Sequence, residues 1–355
     1  MNKGVFHKSE LIELLLSSGD ERALLLREGA RLKKLYVDKI TYFRGLVELS
    51  NICSKNCLYC GIRSGNSLVN RYSLSDEEVI ESVKFAHKNH FASVVLQSGE
   101  ISSKKFTSRI ADLLAKINNE TNSELGITLS LGEQSYETYK LWRECGAKRY
   151  LLRIESSNKE LYHKIHPNDT KHNYEKRIEC LHNLKELGYQ VGTGVMVGLP
   201  FQTIEHLAED LMFMKTFDID MCGMGPYLEH HDTPLYQYKD ELLPQKERFD
   251  LTLKMIAILR IMMKDINIAA TTAMQAIDKL GREKALMIGA NVIMPNVTPG
   301  VYRSEYHLYE NKPCIDEEAE DCISCLEARI AIAGDTIGLD EHGDSRHYAR
   351  RIGRR

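Results

Sequence analysis

The sequence predicts an α/β protein built on a complete parallel (β/α)8 barrel. Short runs rich in Val, Ile and Leu alternate with amphipathic stretches of helical spacing. The strand-like runs number eight and cover residues 46–50, 93–98, 126–132, 150–155, 190–198, 218–227, 266–272 and 290–295. Eight strand-helix units over roughly 250 residues have the length of a TIM-type barrel.

The helical stretches carry end signals of their own. Predicted helices include residues 76–88, 136–144, 174–187, 204–215, 245–264 and 275–288. Ser75 and Glu78 have the spacing of a capping box, and Gly146 and Gly188 follow two other helices where C-cap glycines belong. An open doubly wound sheet is the competing layout, but its GxGxxG fingerprint is missing after the first run, where cysteines stand instead.

The chain divides into three predicted parts. Residues 1–43 are an N-terminal helical segment with two helices over residues 8–35, and residues 44–298 are the barrel. Residues 299–355 are an irregular C-terminal extension, whose basic run at 346–355 is interpreted as a solvated tail.

Composition narrows the class of protein. The chain has 355 residues, 43% apolar and 27% charged, with a formal net charge of -3. That balance gives no sign of a nucleic-acid partner. No run approaches the roughly 18 apolar residues that cross a bilayer, and no cleavable leader is recognisable. We therefore expect a cytoplasmic protein without membrane contact.

The nine cysteines fall into two groups and three scattered positions. The groups are Cys53, Cys57 and Cys60, and Cys314, Cys322 and Cys325. Clustered thiols in a reducing compartment indicate metal binding more than disulfides. Cys145, Cys180 and Cys222 are interpreted as small core residues.

The first cysteine group follows the first predicted strand, at the barrel mouth where active sites lie. Its C-x3-C-x2-C spacing allows three thiolates to hold a 4Fe-4S cluster with one iron left open. S-adenosylmethionine (SAM) can chelate such an iron and be cleaved by an electron from the cluster. The alternative is a structural zinc loop, which needs a fourth ligand, and the next histidine, His87, falls in a predicted helix.

This spacing, with Tyr59 just before the last cysteine, is the signature of the radical SAM superfamily. The resemblance extends to the strings VELSNICSKNCLYCGIR, VVLQSGE, TLSLGE, RYLLRIES, VMVGLPFQT, MGPYLEHHDTPL, ATTAM and GANVIMPNVTPGVYR. In this order they resemble the HydE family of FeFe-hydrogenase maturases, relatives of biotin synthase and 3-methylornithine synthase. The resemblance covers residues 44–325 and implies an enzyme that reductively cleaves SAM to a 5'-deoxyadenosyl radical.

The resemblance also implies the roles of individual residues. The positions implied for SAM binding are Tyr59, Gln97, Gly99, Glu100, Ser130, Glu155 and Arg177. Those implied to line the substrate cavity and its anion-binding position are Arg44, Ser98, Thr271, Thr272, Met294, Tyr302, Arg303 and Tyr306. An arginine suits that position because its guanidinium clamps anions with several donors at once. The alternatives are a surface ion pair for Glu155 and Arg177, and plain strand formers for the threonines.

Some positions depart from the family or stay open. Ile101-Ser102 stands where these maturases continue with Asp-Pro, and Ile154 stands where they often carry His. His230, His231 and Asp232 look like metal ligands by composition, but we expect no metal because they belong to a family loop and vicinal histidines project apart.

The second cysteine group, Cys314, Cys322 and Cys325, matches the site of an accessory cluster that some family members carry. Two alternatives stay open. The group holds a labile second cluster, 2Fe-2S or 4Fe-4S, or it consists of unligated surface thiols that acquire iron on reconstitution.

By resemblance, the substrate is an organometallic small molecule, the iron-bound cysteine complex Fe(CO)2(CN)cysteine, attacked at sulfur. The implied partners are other hydrogenase maturation proteins and a reductant such as flavodoxin or ferredoxin. A second hypothesis is a 3-methylornithine synthase-like radical mutase. A third is a non-catalytic Fe-S carrier, which detectable SAM binding would count against.

Overall fold

The structure is a computed structural model that describes residues 6–313 and 319–353, with the backbone alone for 319–324. Helices α1 (Lys8–Leu16) and α2 (Gly19–Tyr36) come first, which confirms the two predicted N-terminal helices. Two strands follow, β1 (Ile40–Phe43) and β2 (Gly45–Ser50). None of the described helices has the length and apolar composition required to span a membrane.

Helices and strands then alternate, as predicted. In chain order they are α3 (Asp76–Lys88), β3 (Ser93–Ser98), α4 (Lys104–Glu120), β4 (Gly126–Ser130), α5 (Tyr136–Glu144), β5 (Ala147–Leu151), α6 (Lys159–Ile165), α7 (Tyr174–Glu186), β6 (Gln190–Thr193), β7 (Met196–Val197), α8 (Ile204–Phe217), β8 (Met221–Cys222), β9 (Gly225–Pro226), a 3-10 helix (Pro234–Glu241), α9 (Gln245–Met262), β10 (Asn267–Ile268), α10 (Thr272–Ile277), α11 (Gly281–Ile288) and β11 (Val292–Ile293).

The central sheet is parallel, with its strands in the order β10-β8-β6-β5-β4-β3-β2. Its apolar side chains are buried with those of the surrounding helices in one large core. Parallel strands joined through helices are the arrangement that the alternating pattern predicts. The predicted α/β class is therefore confirmed.

The prediction of a complete, closed eight-stranded barrel is wrong, because the main sheet of the described chain does not close on itself. Within the described residues the continuous sheet has seven strands, and β11 belongs to a separate three-stranded sheet with β1. Single backbone bridges, Ala269 to Val292 and Leu46 to Asn296, join the two sheets. At this seam β10 and β11 are only two residues long, and Pro295, which faces β2, offers a carbonyl but no N–H, so a full ladder cannot form.

Two of the predicted strands are broken by glycine. The runs 190–198 and 218–227 each divide into a strand of the main sheet and a short strand of the separate β7–β9 sheet. The two breaks are side by side. Gly194 and Gly223 are in such close contact that a Cβ on Gly194 would overlap the carbonyl group of Gly223. The glycines allow the two backbones to approach and bend together.

The predicted helix ends at Ser75, Gly146 and Gly188 are confirmed. Ser75 and Glu78 form the expected capping box of α3, and Gly146 and Gly188 adopt positive φ angles of 107° and 78° just past α5 and α7. The predicted helix 275–288 is wrong as one element. Asp278 accepts a hydrogen bond from the Leu280 amide (2.8 Å), which ends α10 and starts α11.

The C-terminal part is not irregular where it is described. It contains α12 (Gly300–Arg303), α13 (Ala319–Ile332), β12 (Thr336–Ile337) and α14 (Arg346–Arg351), and β12 pairs with β1. In its described part, residues 346–353, the basic run is not a solvated tail, since Arg351 pairs with buried Asp220 at 2.7 Å. Asp344 accepts hydrogen bonds from Arg149 and Gln190, so this segment covers the amino-terminal ends of the strands.

A histidine in this segment makes the stability of the cover depend on pH. His347 lies between Asp218 (2.7 Å) and Asp265 (3.2 Å). Burial lowers its pKa, but the hydrogen bonds and charges of the two carboxylates outweigh burial and raise it. A raised pKa means that the stabilisation is complete below the unfolded value near 6.5 and is lost as pH rises through the folded value.

We expect wild type to exceed His347→Gln in unfolding free energy by about 1 kcal/mol at pH 6, and by less at pH 8. Urea unfolding of both proteins at the two pH values measures this difference. An equal difference at both values would contradict the assignment of charge to His347.

Candidate active site

The cysteine loop occupies residues 51–75, between the carboxyl end of β2 and α3. It contains little regular structure, so side chains must satisfy its backbone. Arg71 does most of this, because its guanidinium donates to the carbonyls of Asn51, Ile62, Arg63 and Asn66 at 2.7–3.1 Å. The loop is therefore a fixed scaffold for the three cysteines.

The side chains of Cys53, Cys57 and Cys60 are half-buried within this loop, and the charges of Cys53 and Cys57 act on the Cys60 thiol. Burial raises the pKa of Cys57 to about 12, with Cys53 contributing, and burial followed by the charges of Cys57 and Cys53 raises that of Cys60. With raised pKa values, the three thiols stay protonated when no metal is bound. The positive charge of bound iron ions would favour their thiolate forms, which are the ligands of a metal centre. The residues present therefore fit an iron-sulfur cluster.

Gly99 and Glu100 pack directly against the loop. A Cβ on Gly99 would overlap the Ile52 carbonyl and approach Cys53, so this position requires glycine. The Glu100 amide donates to the Cys53 sulfur at 3.3 Å, and the Glu100 carbonyl accepts from the amide and hydroxyl of Ser54. Backbone donors of this kind stabilise a thiolate.

A buried network of four charges lies beside the thiols. Lys55 contacts Glu100 (3.0 Å) and Glu133 (2.8 Å), and Arg177 contacts Glu133 (2.7 Å) and Glu100 (3.5 Å). Their side chains are only 7–11% exposed. Arg177 Nε and Glu133 Oε1 are close but misaligned, and neither has a hydrogen-bond partner among the described residues. Unsatisfied buried groups of both signs suit a zwitterionic ligand such as the amino-acid part of SAM.

The sequence reasoning missed Lys55 and Glu133. A signal for Glu133 was present, since Gly132-Glu133 follows β4 just as Gly99-Glu100 follows the neighbouring strand β3. Gly132 has a φ of 75°, and a Cβ there would overlap the Glu100 side chain. The Glu100 side chain therefore packs directly against Gly132, and a larger residue at position 132 would displace it.

Glu155 and Arg177 are brought to the same area but do not pair with each other. Glu155 forms a two-pronged ion pair with Arg153 (2.8 and 2.9 Å) and has a positive φ of 63°, which is unusual for a residue with a side chain. Glu155 and Arg177 both act on Tyr59, whose pKa is raised by burial and by the charges of Cys57 and Glu155, while Arg177 opposes the rise. Arg153 was missed by sequence reasoning, and the departing residue Ile154 is fully buried.

The predicted polar strand ends differ in their contacts. Gln97 and Ser130 are paired in register on β3 and β4, and the Gln97 amide donates to the Tyr306 hydroxyl at 3.2 Å. Ser98 instead donates to the carbonyl of Gly99. The structure therefore brings three of the predicted site residues, Gln97, Ser130 and Tyr306, together near the cysteines.

Arg44 lies at the opposite end of the barrel interior. It lines a small cavity of about 10 Å³, room for one water molecule, together with Thr128, Met221, Cys222 and Met294. Burial and then Arg149 lower the Arg44 pKa to about 9. The structure brings Arg44 and Met294 together, apart from Tyr306.

The remaining cavity residues are scattered around the mouth. Thr271 donates to the Met224 carbonyl, and Thr272 shares a 2.8 Å hydrogen bond with Tyr309. Arg303 is buried and donates to the Thr298 carbonyl. The Tyr302 hydroxyl donates to Glu78 at the start of α3, which places it on the outer helices.

His230, His231 and Asp232 do not project apart as expected. The two rings stack at 5.0 Å, and their ligand atoms lie within 4.8 Å of one another. Protein partners satisfy these groups, since His230 Nδ1 accepts the Asp232 amide and His231 lies beside Glu310 at 2.6 Å. The expectation that they hold no metal stays a prediction.

The second cysteine group falls mostly outside the part of the chain that the structure describes. Cys314 lies outside the described residues, and Cys322 is described in its backbone alone. Cys325 is exposed on α13. The accessory cluster therefore stays a prediction.

Comparison with known proteins matches this site to one superfamily. The family model of the radical SAM superfamily matches residues 47–214, from β2 through α8. The [FeFe] hydrogenase maturase subunit HydE of Thermotoga maritima is 43% identical over 341 residues, covering 96% of this chain and 94% of that protein. 3-methylornithine synthase of Methanosarcina acetivorans is 32% identical over 291 residues, covering 78% and 79% of the two chains.

Solved structures share the fold. Methylornithine synthase (PylB) superposes with a TM-score of 0.78 at 24% identity, covering 94% of each chain. The FeFe-hydrogenase maturase HydG from Carboxydothermus hydrogenoformans superposes with a TM-score of 0.79 at 20% identity, covering 97% of this chain and 78% of that chain.

The chain therefore belongs to the radical SAM superfamily, whose cofactors are a 4Fe-4S cluster and SAM. This confirms the resemblance and those two predicted cofactors. Within the superfamily the chain is a HydE-like enzyme, with 3-methylornithine synthase and biotin synthase among its relatives.

Proposed function

We propose that this HydE-like enzyme acts in the maturation of the FeFe-hydrogenase active site. The observation that carries the proposal is the 43% identity to HydE over 96% of the chain. The cysteine loop and its charge network supply a site suited to the chemistry. We also propose a cytoplasmic location, other maturation proteins as partners and a flavodoxin or ferredoxin as reductant.

In the proposed site, Cys53, Cys57 and Cys60 hold the cluster. When bound, the cluster and SAM supply a one-electron cleavage of the sulfonium that yields methionine and the 5'-deoxyadenosyl radical. Arg177 and the Glu100 and Glu133 carboxylates bind the carboxylate and amino group of SAM. Tyr59, Gln97, Gly99, Ser130 and Glu155 complete this proposed SAM site.

The charge network also prepares the site electrostatically. Two cations and two anions cancel, so the network adds no net charge beside the cluster. Their burial keeps water away and strengthens each contact with a bound ligand. Arg177, Glu100 and Glu133 would thereby limit the orientations of bound SAM beside the cysteines.

For the substrate we propose the complex Fe(CO)2(CN)cysteine. Polar donors lie at both ends of the interior, from half-buried Gln97 and buried Tyr306 near the cysteines to buried Arg44 at the far end. The space beside Arg44 has room for about one water molecule, so we propose that Arg44 attracts a cyanide-bearing or carboxylate anion by its buried charge, with a water molecule on its Nε, which has no hydrogen-bond partner among the described residues. We propose that Ser98, Thr271, Thr272, Met294, Tyr302 and Arg303 complete this cavity.

A radical mutase is the second candidate function. The 32% identity to 3-methylornithine synthase favours it. Its substrate would be an amino acid such as L-lysine, of which 3-methylornithine is an isomer. A non-catalytic Fe-S carrier has no use for the unsatisfied pair of Arg177 and Glu133.

One experiment separates the three candidates. The anaerobically reconstituted protein is reduced with dithionite, given SAM, and assayed for 5'-deoxyadenosine with Fe(CO)2(CN)cysteine, with L-lysine or alone. We expect the iron complex to raise the rate and its CO and CN infrared bands to shift. Stimulation by L-lysine alone would favour the mutase, and the absence of SAM cleavage by a loaded cluster would favour the carrier.

A further inference from the structure

We propose that His166 and His172 are positioning residues that hold the cysteine loop on either side of Cys57. Both lie between α6 and α7, far from the loop in sequence but packed against it. The inference rests on the proposed function in one respect, since it takes Cys57 as a cluster ligand and Tyr59 as part of the SAM site.

His172 holds the residue before Cys57. Its Nε2 accepts a hydrogen bond from the Asn56 amide at 2.9 Å, and its Nδ1 lies 2.7 Å from Asp169. A backbone amide can only donate, so Nε2 must be the unprotonated nitrogen and Nδ1 carries the proton toward the carboxylate. The His172 ring is buried, which fixes this arrangement.

His166 holds the residues after Cys57. The Leu58 amide donates to the Ile165 carbonyl at 3.1 Å, and the Tyr59 hydroxyl lies 3.2 Å from His166 Nε2. His166 Nδ1 lies 2.8 Å from the Tyr162 carbonyl. Because a carbonyl only accepts, Nδ1 carries the proton, and Nε2 accepts from Tyr59.

The His166 ring has little freedom to turn. It stacks on Tyr162 with centroids 4.0 Å apart, and its residue is 3% exposed. Burial lowers its pKa to about 3, which agrees with a neutral ring that accepts a hydrogen bond. Tyr59 is thus tied at its hydroxyl and, through Leu58, at its backbone.

These contacts converge on the residues that flank Cys57. Residues 165–172 restrain Asn56, Leu58 and Tyr59, so Cys57 is held through both neighbours. Tyr59 follows Cys57 by two residues, and the charges of Glu155 and Arg177 act on its hydroxyl. Releasing Tyr59 would therefore disturb SAM binding more than it disturbs the cysteines.

A residue that merely fills space gives a different result from one that accepts a hydrogen bond. His166→Leu keeps the apolar bulk and loses the acceptor, whereas His166→Gln keeps an acceptor near the position of Nε2. Tyr59→Phe removes the donor alone. His163→Leu is the matched control, because His163 is an exposed histidine on α6, three residues before His166.

The experiment uses the reconstituted protein. It measures iron content, the KM for SAM, the rate of SAM cleavage at saturating SAM, and the EPR spectrum of the reduced cluster with SAM. We expect His166→Leu to raise the KM for SAM about three- to tenfold, the value of one buried hydrogen bond, and to alter the spectrum with SAM. Iron content should stay at the wild-type level. His166→Gln should recover most of the affinity, and His163→Leu should match wild type.

The double variant keeps the inference testable if His166→Leu folds poorly. Removing both partners leaves no unsatisfied buried hydroxyl, so Tyr59→Phe/His166→Leu should fold and should bind SAM no worse than Tyr59→Phe. For His172, we expect His172→Leu, but not His172→Gln, to lose iron to a chelator faster than wild type.

Two results would overturn the inference while leaving the proposed function intact. One is an active wild type beside a His166→Leu variant with unchanged KM and spectrum. The other is a double variant whose defects multiply. A wild type with a loaded cluster that cleaves no SAM would instead overturn the proposed function, and the inference with it.

Discussion

Replacing Cys57 by alanine is expected to remove the cluster and to lower 5'-deoxyadenosine formation by about a thousandfold or more, which is at least ~4 kcal/mol in activation free energy. Two thiols cannot hold a cubane that needs three, and without the cluster no electron reaches SAM. The loop itself should persist, because Arg71 and His172 hold its backbone and His166 holds the Tyr59 hydroxyl, all independently of the thiol.

The measurement compares iron, sulfide and 5'-deoxyadenosine in wild type, Cys57→Ala and Cys145→Ala. Cys145 is an equally half-buried thiol at the end of α5, remote in sequence from the loop. Its variant should keep both iron and activity. Normal iron and activity in Cys57→Ala would contradict the ligand assignment.

The second large effect is expected from Arg177→Met. The change leaves Glu100 and Glu133 with Lys55 as the single cation of a buried network. Removing one partner of a buried pair strands the others, at a cost of about 3–5 kcal/mol in unfolding free energy. SAM binding should also weaken by at least about tenfold, because the carboxylate of SAM loses its forked donor.

Arg177→Lys and Lys176→Met are the comparisons for this change. The lysine keeps the charge but loses the fork, so both defects should be smaller. Lys176 is an exposed neighbour on α7 paired with Glu179, and its loss should cost no more than about 0.5 kcal/mol. Urea unfolding and the KM for SAM measure the two effects. An Arg177→Met protein with wild-type stability would show that the network is not an electrostatic unit.

The alternating core of the fold was visible in the sequence because local signals determine it. Helices such as α3 are marked by their caps, and strands such as β3 by continuous apolar runs. The seam between β10, β11 and β2 was not visible, since it depends on single bridges between distant segments. The break at Asp278 was missed because an aspartate within a helical pattern gives no sign of where its side chain will bond.

The predicted site shows the same division. The cysteine spacing and Gly99-Glu100 are short motifs, and the structure places them against each other. Lys55, Glu133 and His166 were missed because their roles arise from contacts between segments far apart in the chain. Their residue types are ordinary at exposed positions, and only the fold shows that they are buried together.

Reductive cleavage of SAM by the wild-type protein tests the central claim most directly. The anaerobically reconstituted protein is reduced with dithionite, mixed with SAM, and examined for 5'-deoxyadenosine, methionine and the EPR signal of the cluster. We expect the two products in equal amounts and a cluster signal that changes when SAM is added. A preparation with full iron content that forms neither product, and whose signal ignores SAM, would contradict radical SAM catalysis by this chain.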